Sequence, residues 1–365
     1  MLIGGDVVQR AVAQLAGSGP FSITPVAFSF GWVAYSVNAV LSSVGTGRLM
    51  PDVDCPSIVI NASNGYIRQN QSWALGRLLR DHQSEYDHTQ SGLTVSLYRT
   101  STLKQTGRPD HDWVFYSGMA VIPLQIGIAA IPGALYNNWT IFLVTTVGIV
   151  LALVTGALPQ WRAEKWAARP LLSPDGKRKR EAISLTRGNG SKDVIVIVSD
   201  GVGLRLEDLA AGREVHSPYT IALTCTLAIL WVAHLLTVTG LKNYAWYQFG
   251  VGALGMIQNV IAAGARRSPN ALGFHLERMS PTGVIHNDTV FQAIVELENL
   301  EPGAGLSLVP VFFPGSLRRD EEEWMQRAKE ALKTSQKESR TQPEMSMRAG
   351  AVAQASDLER QHLCF

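Results

Sequence analysis

Charged residues are unevenly spread along this chain, and long gaps between them set the first expectation. Five windows, at about 23–44, 114–135, 139–158, 219–238 and 244–265, contain no Lys, Arg, Asp or Glu. A helix of roughly 20 apolar residues spans the hydrocarbon of a bilayer. Five such windows in one chain are hard to bury in a water-soluble fold, so each predicts a transmembrane helix. The second and third are joined only by Tyr136-Asn137-Asn138, the fourth and fifth only by 239–243. The predicted fold is therefore an α-helical membrane protein of about five transmembrane helices, one lone helix followed by two tight hairpins, with α/β segments on one side. Trp113, Tyr136, Trp139, Trp161, Tyr219, Tyr244 and Trp246 lie at or just beyond window ends, where amphipathic rings favour the interface.

The intervening segments show shorter periods. In 1–22, Val7, Val8, Ala11, Val12 and Leu15 fall near helical spacing with Asp6 and Arg10 between them, which predicts an amphipathic helix on the membrane surface. The loop 45–113 predicts a strand at 57–61, a helix at 73–86 and a strand at 93–98. Within 159–218, the β-branched run at 194–198 reads as a buried strand. The segment 266–334 predicts a helix at 290–300, a strand at 306–313 and a charged helix at 320–337. These pieces either assemble into one α/β domain or lie separately on the membrane. The composition of 335–365 predicts a disordered tail.

Composition agrees: 46% of residues are hydrophobic and 17% charged, against about 25% in a soluble chain. A net charge of +2 gives no case for a nucleic-acid partner. Three cysteines without paired spacing suggest neither a disulfide framework nor a zinc site, and no cofactor is expected. Lys and Arg number one before the first window, seven in 45–113, eleven in 159–218 and twelve after 265, but none and one in the two turns. The positive-inside rule then places the N-terminus outside or in the lumen, and the large segments and C-terminus in the cytosol, at the endoplasmic reticulum or the plasma membrane.

Candidate chemistry is sparse. Asp81-His82, Asp87-His88 and Asp110-His111 pair carboxylate with imidazole, as an acid–base or metal site needs, and Asp112 follows. Their spacing fits no single helical face, and solvated loop residues explain them equally; no metal site is assigned. Inside the windows Asn38, Gln125, His234, Gln258 and Asn259 stand out as polar; they either mark a pathway or bond between helices. Gly250-Val-Gly252-Ala-Leu-Gly255 matches a dinucleotide fingerprint by letter, but it lies inside a helix window, so helix packing, against the fourth helix, is the expected role. The turn at 198–203 lacks the third glycine and the lysine of a phosphate loop. Lys177, Arg178, Lys179 and Arg180 form a basic tetrad suited to anionic lipid.

Two stretches, 26–35 and 58–77 with Gly65-Tyr66 and Ser72-Trp73-Ala-Leu-Gly-Arg77 in the second, resemble multi-pass integral membrane proteins of filamentous fungi. That resemblance implies no catalytic motif. Some proteins of this kind look like members of secondary-metabolite gene clusters. The reading of the whole chain is an accessory, scaffold or regulatory membrane protein. The alternative is a membrane-bound enzyme acting on a lipophilic metabolite in a fungal secondary-metabolite pathway. No strong acid–base pair lies in the windows, which favours the first.

Overall fold

A computed structural model describes residues 4–17, 23–45, 47–83, 91–172, 180–215, 217–279 and 283–334. In chain order these form α1 (Gly5–Leu15), a non-helical stretch over 23–29, α2 (Gly31–Gly45), β1 (Ile58–Asn61), β2 (Ile67–Gln69), α3 (Trp73–Gln83) and β3 (Leu93–Thr100). Then come α4 (Trp113–Tyr136), α5 (Thr140–Gly156), α6 (Pro159–Lys165), β4 (Arg180–Thr186), β5 (Asp193–Asp200) and α7 (Leu206–Ala210). The remainder is α8 (Pro218–Thr239), α9 (Ala245–Gly264), α10 (Pro269–Leu272), β6 (Leu276–Arg278), β7 (Val284–Asn287), α11 (Val290–Leu300), α12 (Ala304–Phe312) and a helix over 319–334.

Among the described residues three helices are long and apolar enough to cross a membrane: Trp113–Tyr136, Thr140–Lys165 and Tyr219–Thr239. This falls short of the expected five. The helix α9 has 20 residues but carries Gln248, Gln258 and Asn259, which lower its apolar character. The first window is only partly helical. Pro25 disfavours the helical region for Thr24, and the stretch over 23–29 has no regular secondary structure before α2 begins. Midway along α8, Trp231 stacks on Trp32, while Ser43 bonds to Thr224 nearer the start of α8. Hence α2 runs from the middle of the bundle to one end and does not cross it.

The expected surface helix α1 is also placed differently. Its apolar residues Val8, Ala11, Val12 and Leu15 are fully or almost fully buried, packed with α2 and α9. The face read from the sequence as facing lipid is covered by protein.

Below the bundle lies a seven-stranded mixed sheet of order β2-β1-β4-β5-β3-β6, with β7 also pairing β3. Strands from three separate segments therefore make one sheet. Only β3 and β5 are parallel; the other pairs are antiparallel. The β5 residues Val194, Val196 and Val198 face α11 and α12, while Ile195 and Ile197 face α3, α7 and α10. Burial on both faces explains why this strand reads as an unbroken β-branched run. The expected strand at 306–313 is the helix α12. Gly303 enters it at φ 91, and the Glu298 carboxylate accepts the backbone N–H groups of Gly303 and Leu306. Its apolar residues are too closely spaced for periodicity to separate strand from helix.

Candidate functional site

The described members of the Asp-His constellation serve separate structural purposes. His82, on α3, is 6% exposed. Its Nε2 lies 3.1 Å from the Ser96 hydroxyl of β3, and its ring meets Tyr98 edge-on. Burial, aided by the Arg278 charge, lowers its pKa to about 4. Asp81 accepts from Arg77 and Arg80 and from the Arg267 backbone N–H. Asp110 pairs with Lys104 at 2.6 Å, and exposed His111 stacks on Phe115. Asp112 caps α4 by accepting the Phe115 N–H and receives both Nε and Nη2 of Arg267, at 2.7 and 2.8 Å. Asp87 and His88 lie outside the described residues. Among the described residues no group of three or more His, Cys, Asp or Glu is placed to hold a metal ion. What brings Asp81 and Asp112 together is a guanidinium-bearing residue, Arg267.

That residue belongs to an ionic layer between bundle and sheet, which sequence spacing did not reveal. Arg77, fully buried, donates to the carbonyls of Ala263 and Ala265, and Arg80 to that of Gly264. These are the last carbonyls of α9 and its exit, where cations suit the negative end of the helix dipole. At the end of α1, Arg267 donates to the Gln14 carbonyl, and Lys165 to those of Gln14 and Ala16. Arg77 and Lys165 also sit over the Trp73 ring, at 5.8 and 5.6 Å. Asp54 pairs with Arg77 and with Arg10. Glu164 accepts the Leu49 and Met50 N–H groups, tying the exit of α2 to α6. Desolvation makes such a layer costly to break, because removing one partner strands a buried charge. The space beside Glu164 and Lys165 is about 20 Å³, room for one water and for no organic substrate. This layer positions helices.

A second polar layer lies inside the bundle. Gln125 donates to the carbonyls of Phe28 and Val251 at 2.7 and 2.9 Å. Asn259 donates to the Ala27 carbonyl and the Ser29 hydroxyl, and Trp32 Nε1 also reaches the Ala27 carbonyl. Two carbonyls of the non-helical stretch, those of Ala27 and Phe28, are thus satisfied by side chains from other elements and from Trp32. Gln258 binds the Ser117 hydroxyl, and Gln248, unnoticed in the sequence, accepts from Thr145. His234 is buried edge-on against Phe28 and Trp231, and no partner for its Nε2 lies among the described residues. Asn38 is exposed.

The glycine motif packs against this stretch, not against α8. A Cβ on Gly255 would meet the Phe28 carbonyl oxygen, and one on Gly252 the Phe30 ring; Gly250 faces open space. The turn after β5 is held by Asp200, which pairs with Arg99 and Arg180. Arg180 also pairs with Glu301, so this member of the basic tetrad is already engaged by carboxylates. Lys177, Arg178 and Lys179 lie outside the described residues. No protein-family model matches the chain, and no curated protein or solved structure shows significant similarity to it.

Proposed function

We propose that this chain is an integral membrane protein with a non-catalytic role, anchoring its α/β unit at the cytosolic membrane surface as a scaffold or regulator for partners. The observation that carries the reading is the bundle's outer surface. Leu124, Leu135, Leu143, Val150, Ile229 and Leu236 point outward and are each about half exposed or more. A continuous apolar belt of this kind is stable in lipid and a liability in water. Exposed Trp113, Tyr136, Trp139, Tyr219 and Trp246 flank it at both ends.

In this reading α4, α5, α8 and α9 cross, and α1, the non-helical stretch and α2 form a re-entrant unit entered from the sheet side. Four crossings return the chain to the side where the sheet lies. The Lys and Arg excess of the sheet-bearing segments supports the cytosol as that side. The re-entrant unit removes the crossing that an N-terminus on the far side would require.

Alkaline carbonate should leave the protein in the membrane pellet. In a Cys364→Ser background, Leu103→Cys, at a position 88% exposed, should react with an impermeant maleimide only after membranes are permeabilised. Release by carbonate refutes membrane integration, and labelling of sealed cells refutes the orientation. A deletion strain complemented with His82→Gln/His111→Gln should show an unchanged metabolite profile. A changed profile at normal protein level would favour the enzyme.

A further inference from the structure

A cavity of about 480 Å³ opens where the bundle meets the sheet, between the end of α5, α6 and the loop ahead of α4. Its inner wall is Thr24, Leu158 and Trp161, and its rim carries Arg108 and Arg162, both exposed. None of the described residues lining it is acidic. The uncharged run of α5 ends at Leu158 and Trp113 opens α4 nearby in sequence to Arg108. The membrane reading therefore places the cavity at headgroup depth on the sheet side. Trp166 forms another part of the wall, and its indole N–H has no acceptor among the described residues.

We propose that this cavity holds the anionic headgroup of a membrane phospholipid, with Arg108 and Arg162 on the phosphate and the acyl chains leaving along α5. Guanidinium groups suit phosphate oxygens because their N–H groups match the geometry and keep their charge. With two guanidinium groups and no carboxylate among the described lining residues, the lining is net positive, so anionic headgroups are preferred to zwitterionic ones. The volume falls within the range of small-molecule sites. The inference rests on the membrane reading and extends it to a specific lipid class.

The purified full chain in detergent is titrated with phosphatidic acid, phosphatidylcholine or inorganic phosphate, and bound molecules are counted by native mass spectrometry. One phosphatidic acid per chain should be retained in preference to phosphatidylcholine. Arg108→Gln/Arg162→Gln should weaken it at least about tenfold, the loss expected for a charged contact. Ala163→Trp, which fills the cavity and keeps both charges, should weaken it as much. Equal retention of phosphatidylcholine overturns the proposal, as does retention unaffected by either variant. Inorganic phosphate binding as tightly as the lipid would show a free-anion site and also overturn it. Carbonate resistance without lipid selectivity removes this inference alone and leaves the membrane reading standing.

Discussion

The side-chain amide of Gln125, midway along α4, donates to the carbonyl of Phe28 from 2.7 Å. It joins a helix to a piece of chain that has no helical hydrogen bonds of its own. Gln125→Met keeps the approximate volume and removes both donated bonds. It should cost about 1–3 kcal/mol, the penalty for leaving a buried acceptor unsatisfied. The melting temperature of the detergent-solubilised protein checks this, and an unchanged value would mean that Phe28 finds another donor.

Two glycines five residues apart in α9, and so on different faces of the helix, should respond in opposite ways. Gly255→Ala drives a methyl into the Phe28 carbonyl and should cost about 1–3 kcal/mol, as overpacking does. Gly250→Ala meets nothing within 4 Å and should be neutral or stabilising by up to about 1 kcal/mol, since alanine favours helix. Thermal melts of the two variants side by side decide it. Equal losses would place the constraint on the helix itself and not on the non-helical stretch.

Arg267 has a side chain only 2% exposed and bridges Asp112 to the end of α1. Arg267→Met should destabilise by about 3–5 kcal/mol, because Asp112 loses a buried partner. Asp112→Asn leaves the Arg267 guanidinium buried without its carboxylate, so it should cost at least as much, whereas Asp112, whose side chain is 17% exposed, is partly hydrated when Arg267 is removed. The double variant should lose less than the two single losses together. Additive losses in a double-mutant cycle would show that the pair is not coupled.

His82 gives the fold an acid sensitivity. Its folded pKa, about 4, is below the unfolded value of about 6.5. The unfolded chain therefore binds more protons between these values, and stability falls as pH drops from 6.5 toward 4. By pH 5 the loss amounts to about 2 kcal/mol. His82→Gln, which can still bond Ser96, should flatten this part of the stability–pH curve. Parallel curves for variant and wild type would show that His82 does not titrate in this window.

Local pattern was enough for several elements. The uncharged windows at 114–135, 139–158 and 219–238 became helices because an apolar run of that length has only one way to satisfy its backbone without water. The β-branched run at 194–198 became β5, and the helix at 290–300 became α11, for the same reason that period and composition agree locally. What tertiary structure decided lies where one local pattern permits two environments. An apolar face on α1 can meet lipid or protein; the bundle supplies α2 and α9, so protein covers it. Apolar residues at 306–313 fit strand or helix; the Glu298 carboxylate and Gly303 select the helix. The window at 23–44 is apolar throughout, yet its first part stays non-helical: Gln125 and Asn259 donate to its Phe28 and Ala27 carbonyls, and its own Thr24 hydroxyl donates to the Gly156 carbonyl, all from positions far apart in sequence. Asp81, Asp112 and Arg267 come together in the same way, through long-range packing that residue spacing does not encode.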